Sequence, residues 1–144
     1  AGDPNSSQFC PACCDTTLQN GDQWFYDSKE SIRTLEQLIT VYHQSVGNNC
    51  VLELDFAIDE TGNVAADQAA RYKEFGDWIT SCYGTALKET SGSITSQGGM
   101  LSLSVDNGAF DRVMIKEDLS KGQRIRDFAI IVGGVVDTNS TSIG

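Results

Sequence analysis

Three stretches of the chain carry residue types that could do chemistry. Cys10-Pro-Ala-Cys13-Cys14 places two thiols at the CxxC spacing used by zinc sites and dithiol redox centres. Zinc would need further ligands at a similar spacing. The single histidine, His43, falls on a helical stretch far along the chain, so no metal or other cofactor is expected. A redox dithiol wants a strand before it and a helix opening right after it. Residues 15–23 are instead polar and turn-like, which argues against that chemistry. Cys50 and Cys82 stand at apolar-phase positions and read as buried small residues. A disulfide among the first three cysteines stays open, because connectivity is not written in spacing. Trp24-Phe25-Tyr26 is the second stretch. The plain reading packs all three rings against the following helix. The functional reading has one ring lining a sugar site, since an aromatic face stacks on the C–H face of a pyranose. His43 is the third, and its apolar helical neighbours make it a surface or part-buried residue rather than a catalyst.

Other chemistry is excluded by pattern. No GxGxxG opens a helix, no GxxxxGK[ST] is present, and no GxSxG elbow occurs. Carboxylates are numerous, but none pairs at an obviously catalytic spacing. The net charge of -10 argues against nucleic acid or an anionic membrane as partner. No apolar run approaches the roughly 18 residues of a membrane span. No charged-then-apolar segment opens the chain. Asn5-Ser6-Ser7 and Asn139-Ser140-Thr141 match the glycosylation acceptor pattern and point weakly to a secretory route.

The elements that would position these residues begin with residues 35–84. Thr34-Leu35-Glu36-Gln37 is a capping box, with Thr34 as cap and Gln37 reaching back. Leu35, Leu38, Ile39, Tyr42 and Val46 keep helical spacing, and Gly47 stands where the helix stops. Leu52, Leu54, Phe56 and Ile58 alternate as a strand does. Asp59-Glu60-Thr61-Gly62 is a turn, and Asn20-Gly21 marks another. A second helix from about Ala65 has Tyr72, Phe75, Ile79 and Cys82 in phase and ends at Gly84. Lys73, Glu74 and Asp77 form its solvated side. Helix–strand–helix is the repeat of a parallel α/β sheet, and residues 8–17 could hold a brief further strand.

Past Gly84 the composition turns to Gly, Ser and Thr without helical period. Leu101, Leu103 and Val105 read as one strand, and Asp106-Asn107-Gly108 as a hairpin turn. Phe110, Val113 and Ile115 read as a second strand. Ile125, Phe128, Ile130 and Val132 read as a third. This is sandwich-like patterning, but three strands cannot cover two faces. The polar stretch 137–144 reads as an end cut inside a fold. The chain thus reads as two incomplete halves, an α/β part over 1–84 and a β part over 85–144.

At Trp24-Phe25-Tyr26, Tyr42-His43-Gln44-Ser45-Val46-Gly47, Cys50-Val51-Leu52-Glu53-Leu54, Thr61-Gly62 and Lys73-Glu74-Phe75-Gly76, the chain resembles the α-L-fucosidases of glycoside hydrolase family 29. Residues 110–118 and Gly122-Gln123-Arg124-Ile125 resemble the start of the C-terminal β-sandwich in those proteins. The resemblance covers about residues 8–132. It implies the C-terminal end of a (β/α) barrel-like catalytic domain, with 50–56 as its last strand, followed by the first strands of a β-sandwich. It implies retaining hydrolysis of terminal α-L-fucosyl bonds, which needs two carboxyl groups about 5 Å apart. Substrate would be a fucosylated glycan or glycoconjugate, with Trp24 lining the sugar site and self-association as a homo-oligomer allowed. A secreted or lysosomal location would follow.

Departures from the family pattern bear on activity. The family's aspartate nucleophile and histidine-rich pocket stand N-terminal to the matched stretch, so this chain alone would be inactive. The glutamate of the family's Pro-Ala-Glu-x-Asp, its acid/base, falls on Cys13 in Pro11-Ala12-Cys13-Cys14-Asp15. A thiol does not deliver a proton as a raised-pKa carboxylic acid does. Asp55-Phe56-Ala57-Ile58 replaces Asn-x-Pro-Pro, which removes two φ-fixing prolines from the rim. Glu53 stands where an apolar strand residue is usual. It either faces a partner inside the barrel or marks a drifted copy. The alternative is accordingly a non-catalytic carbohydrate-binding or pseudoenzyme protein.

Overall fold

A computed structural model describes residues 7–8, 10–21, 23–105 and 109–140, with backbone alone at 138–140. The chain forms two compact units, one of residues 1–75 with 115–144 and one of residues 76–114.

The first unit is built on a parallel strand pair. Strand β1 (Ala12–Thr17) lies beside β2 (Cys50–Asp55), with Ala12 opposite Cys50 and Thr17 opposite Asp55. Parallel strands need a crossover, and helix α1 (Leu35–Ser45) supplies it. The expected capping box is present. The Thr34 hydroxyl accepts from the Gln37 amide at 3.2 Å, and the Gln37 side chain accepts from the Thr34 amide at 2.8 Å. Two of the helix's orphan amides are satisfied this way. Leu38 is fully buried, and α1 packs along β2. Helix α2 (Ala66–Tyr83) follows, with Phe75 only 4% exposed and in edge contact with Tyr42 of α1.

The chain leaves α1 differently from expectation. A single 3-10 turn over Val46–Asn48 intervenes, and the left-handed residue is Asn49 at φ 60°, not Gly47. Asparagine tolerates that conformation better than most residues. Strand β2 ends at Asp55 rather than at Phe56 or Ile58, because Ile58 instead bridges Val64 across the Asp59 turn. On α2, Gln68 and Phe75 are buried, and Arg71, Trp78, Ile79 and Cys82 are half-buried. Tyr72, expected in phase with them, is exposed and meets Phe56 edge-on. Helix α2 ends at Gly84 as expected, where the Gly84 amide donates to the Thr80 carbonyl at 2.9 Å.

The cysteine pairing also differs. Cys50 is not a free buried thiol: it forms a disulfide with Cys14, across the strand pair. Cys10 and Cys13 are free and exposed, and Cys82 is free and half-buried. Cys14 and Cys50 lie on the same sheet face, two register positions apart, which brings their Cα atoms to 5.9 Å.

In the C-terminal part, only one of the three expected strands forms. Strand β3 (Phe128–Val132) is present, and its partner is β4 (Val135–Ser140), which runs into the polar stretch. Gly133 and Gly134 join them in a two-residue turn with φ of 58° and 85°. Both positions sit in the left-handed region that such hairpin turns demand. Residues 101–105 and 110–115 are not in strands. Alternating residues become a strand only beside another strand, and among the described residues neither run has one. The expected turn at 106–108 lies outside the described residues. So, in whole or part, do the acceptor patterns at 5–7 and 139–141. In the second unit, Arg112 donates to the Tyr83 hydroxyl at 3.1 Å and lies over its ring.

Candidate aromatic site at the strand ends

The candidate site lies where β1 and β2 end. Alternation along the strands sorts their side chains onto two faces. Cys14, Thr16, Cys50, Leu52 and Leu54 share one face and are half-buried or buried. Cys13, Asp15, Val51 and Glu53 share the other and are exposed. On that face the Cys13 thiol donates to the Glu53 carboxylate at 3.5 Å. That bond, aided by the charges of Glu53, Asp15 and Asp55, pushes the Cys13 thiol above its ordinary value of 9.0. Glu53, the unusual strand residue, therefore meets Cys13 across the strand pair.

Loop 18–34 leaves the C-terminal end of β1 and carries the three aromatics. Its base is closed like a short hairpin. The Asn20 amide donates to the Ser31 carbonyl and the Arg33 amide to the Leu18 carbonyl, both at 2.9 Å. Gln19 and Ile32 bridge between them. The Leu18 amide donates to the Asp55 carbonyl at 2.7 Å, which ties the loop's root to the end of β2. Arg33 donates from Nε to the Thr17 carbonyl at 2.8 Å and from Nη2 to Thr16 Oγ1 at 3.2 Å.

Gln19 holds the loop from within. Its Nε2 donates to the Asp27 carbonyl at 2.9 Å, and its Oε1 accepts from the Asp27 amide at 3.3 Å. The side-chain amide thus pairs with both backbone groups of one residue, as a neighbouring strand would. Gln68 of α2 donates from Nε2 to the same Gln19 oxygen at 3.4 Å. Both glutamines are almost fully buried, at 1% and 2% exposure. No sequence signal marked either one, since glutamine in a turn-like stretch (Gln19) or in the first turn of a helix (Gln68) reads as solvated.

The aromatics themselves do not all pack down. Trp24 is 51% exposed and Phe25 is 85% exposed, while Tyr26 is half-buried. A tethered loop with two open aromatic faces is suited to stacking on a flat apolar surface such as one side of a sugar ring. The loop after β2 is ordered by Asp59. Its carboxylate accepts from the Thr61 hydroxyl at 2.6 Å and from the Thr61 and Asn63 amides at 2.8 and 3.0 Å. These bonds, the hydroxyl's first, hold the Asp59 carboxyl below its ordinary value of 3.8. His43 is exposed on α1 with its ring against Tyr42, apart from this constellation in sequence and on another element. Among the described residues no three His, Cys, Asp or Glu side chains gather as a metal site would need. No helix of the described residues is long and apolar enough to cross a membrane.

No family model matches the chain. Individual proteins do. A rice (Oryza sativa subsp. japonica) protein provisionally named α-L-fucosidase 1 is 28% identical over 101 residues, which are 69% of this chain and 19% of the rice protein. A solved Bacteroides thetaiotaomicron structure, provisionally named as an α-L-fucosidase, is 32% identical. It superposes with a TM-score of 0.78 over 99% of this chain and 35% of its own. A Ruminococcus gnavus glycoside hydrolase family 29 fucosidase, solved in complex with fucose, is 30% identical, with a TM-score of 0.54 over 60% of this chain and 17% of its own. The chain therefore spans about a fifth of the length of the curated relative it matches.

Proposed function

The chain is a relative of the α-L-fucosidases of glycoside hydrolase family 29, and from that premise we propose that it forms the sugar-facing end of a fucosidase. Residues 1–84 are the end of the (β/α) barrel, and 85–144 begin the β-sandwich. The observation that carries this reading is the exposed Trp24-bearing loop, which leaves the C-terminal end of a parallel strand. Barrel enzymes place their active sites at that end of the strands. An uncovered sheet face adds support, because parallel sheets are normally covered on both faces. Cys13, Asp15 and Glu53 would then look into the barrel, and strands from elsewhere in the protein would close it. In the full-length protein the function is retaining hydrolysis of terminal α-L-fucosyl glycosides, with Trp24 against the sugar and the nucleophile on another part of the protein. The Cys14–Cys50 disulfide favours a secretory or lysosomal location, since such bonds persist in oxidising compartments.

One observation favours a second reading, a non-catalytic carbohydrate-binding or pseudoenzyme protein. Position 13 carries a thiol with a raised pKa in place of an acid/base carboxyl. The experiment is release of the aryl group from an aryl α-L-fucoside by the full-length protein, beside binding of L-fucose followed by tryptophan fluorescence. Release that is weakened by Trp24→Ala supports the enzyme. Binding without release, lost in Trp24→Ala, supports the binding protein. Neither release nor binding would sink both.

A further inference from the structure

We propose that the Gln68–Gln19 amide pair is a positioning device for the aromatic loop, with Gln19 acting on Trp24 through the Asp27 backbone. The inference rests on the reading in which Trp24 stacks on the sugar. Gln19 bonds both the N–H and the C=O of Asp27, so it holds the two peptide groups that flank that residue. Asp27 is three residues past Trp24 and next to Tyr26, so the tether reaches the loop beside its aromatics. Gln68 then fixes Gln19. Its Nε2 reaches the Gln19 oxygen, which leaves the Gln19 nitrogen to donate toward Asp27.

Geometry argues that this pair serves the loop and not the core. The Gln68 Oε1 atom is buried without a hydrogen-bond partner among the described residues. A buried amide oxygen left so is unfavourable, and an apolar pair of the same volume would fill the space with less loss. What an apolar pair cannot do is hold the backbone of one residue of an exposed loop in one orientation. Loops that present aromatic faces bind weakly unless they are ordered beforehand, because binding must then supply the ordering.

The test uses the full-length protein with Gln19→Met and, as a milder change of similar volume, Gln68→Met. KM for an aryl α-L-fucoside is expected to rise about tenfold for Gln19→Met, the loss expected from two neutral hydrogen bonds, with kcat within about twofold. The Kd for L-fucose serves the same purpose if nothing is released. In a Trp24→Ala background the glutamine change should add nothing. Gln19→Glu supplies a discriminating signature. Protonated, its carboxyl can still donate to the Asp27 carbonyl and accept from the Asp27 amide; ionised, it loses the donor. KM for that variant should climb with pH while the parent's does not follow the same curve. Amide hydrogen exchange at residues 23–27 is the readout that needs no sugar, and it should quicken in both Met variants. Unchanged exchange there, or a KM effect that adds to that of Trp24→Ala, overturns the proposal. If Trp24→Ala leaves KM and Kd unchanged, the sugar-stacking reading fails, and exchange alone then decides whether Gln19 positions the loop.

Discussion

Removing the Cys14–Cys50 bond is the perturbation whose size the structure fixes best. The two residues are 36 apart in sequence, so the bond closes a loop of that order in the unfolded chain. The chain-entropy relation gives about 4 kcal/mol for such a loop. Engineered and native cases commonly deliver somewhat less, about 2–4 kcal/mol. Cys50 is buried, so a Cys14→Ala and Cys50→Ala pair also gives up sulfur packing, on the order of 1 kcal/mol. Reduction alone keeps the sulfurs in place. At about 2 °C per kcal/mol, the sensitivity of larger domains, the midpoint should fall by roughly 4–8 °C on reduction and slightly more in the double variant. The assay is a thermal melt of the full-length protein with and without dithiothreitol, paired with peptide mapping of the oxidised form. A midpoint unmoved by both treatments would refute the reasoning. So would mapping that joins Cys14 to Cys10 or Cys13 instead.

Three further outcomes are expected. Glu53→Gln should quicken alkylation of Cys13 at mildly alkaline pH. Loss of the carboxylate lets the thiol's pKa fall back toward 9.0, and Cys10 serves as the exposed control in the same digest. Thr34→Ala removes the cap of α1 and should lower stability by about 1 kcal/mol in a urea titration, whereas Thr34→Ser should lose far less. Asp59 should titrate below 3.8 by carbon NMR, and Thr61→Val should move it back up. Because the folded value is depressed, the stability that Asp59 contributes is fully present above the unfolded value. It is lost as pH falls through the folded one.

What was legible in the sequence was local. The Thr34–Gln37 cap, the Asp59 turn and the alternation of Leu52 and Leu54 all depend on residues within a few positions of each other. What was not legible depends on partners distant along the chain. Cys14 and Cys50 meet only because the register places them on one face. Gln19 becomes interior only because Gln68 arrives from α2. The runs at 101–105 and 110–115 have the right alternation, yet pairing needs a neighbour and not a pattern. The β3–β4 hairpin was missed for the opposite reason. Gly133-Gly134 is a strong turn signal, but only Val135 and Val136 follow it before the polar stretch 137–144, which reads as an end. At the site, the exposed Trp24 was foreseen as a candidate, while the two amides that tether its loop were not.

The parallel pairing of β1 with β2 has a consequence for the order of folding. No hairpin can nucleate it, and its contacts span nearly forty residues, as the Ala12–Cys50 register requires. Closing so long a loop is slow until something shortens it. Helix α1, with both halves of its cap in local sequence, can form early and draw the strands' ends together. Until it does, both strands present unpaired edges to other chains. Weakening the cap should therefore affect the yield of refolded protein more than the stability of what has folded.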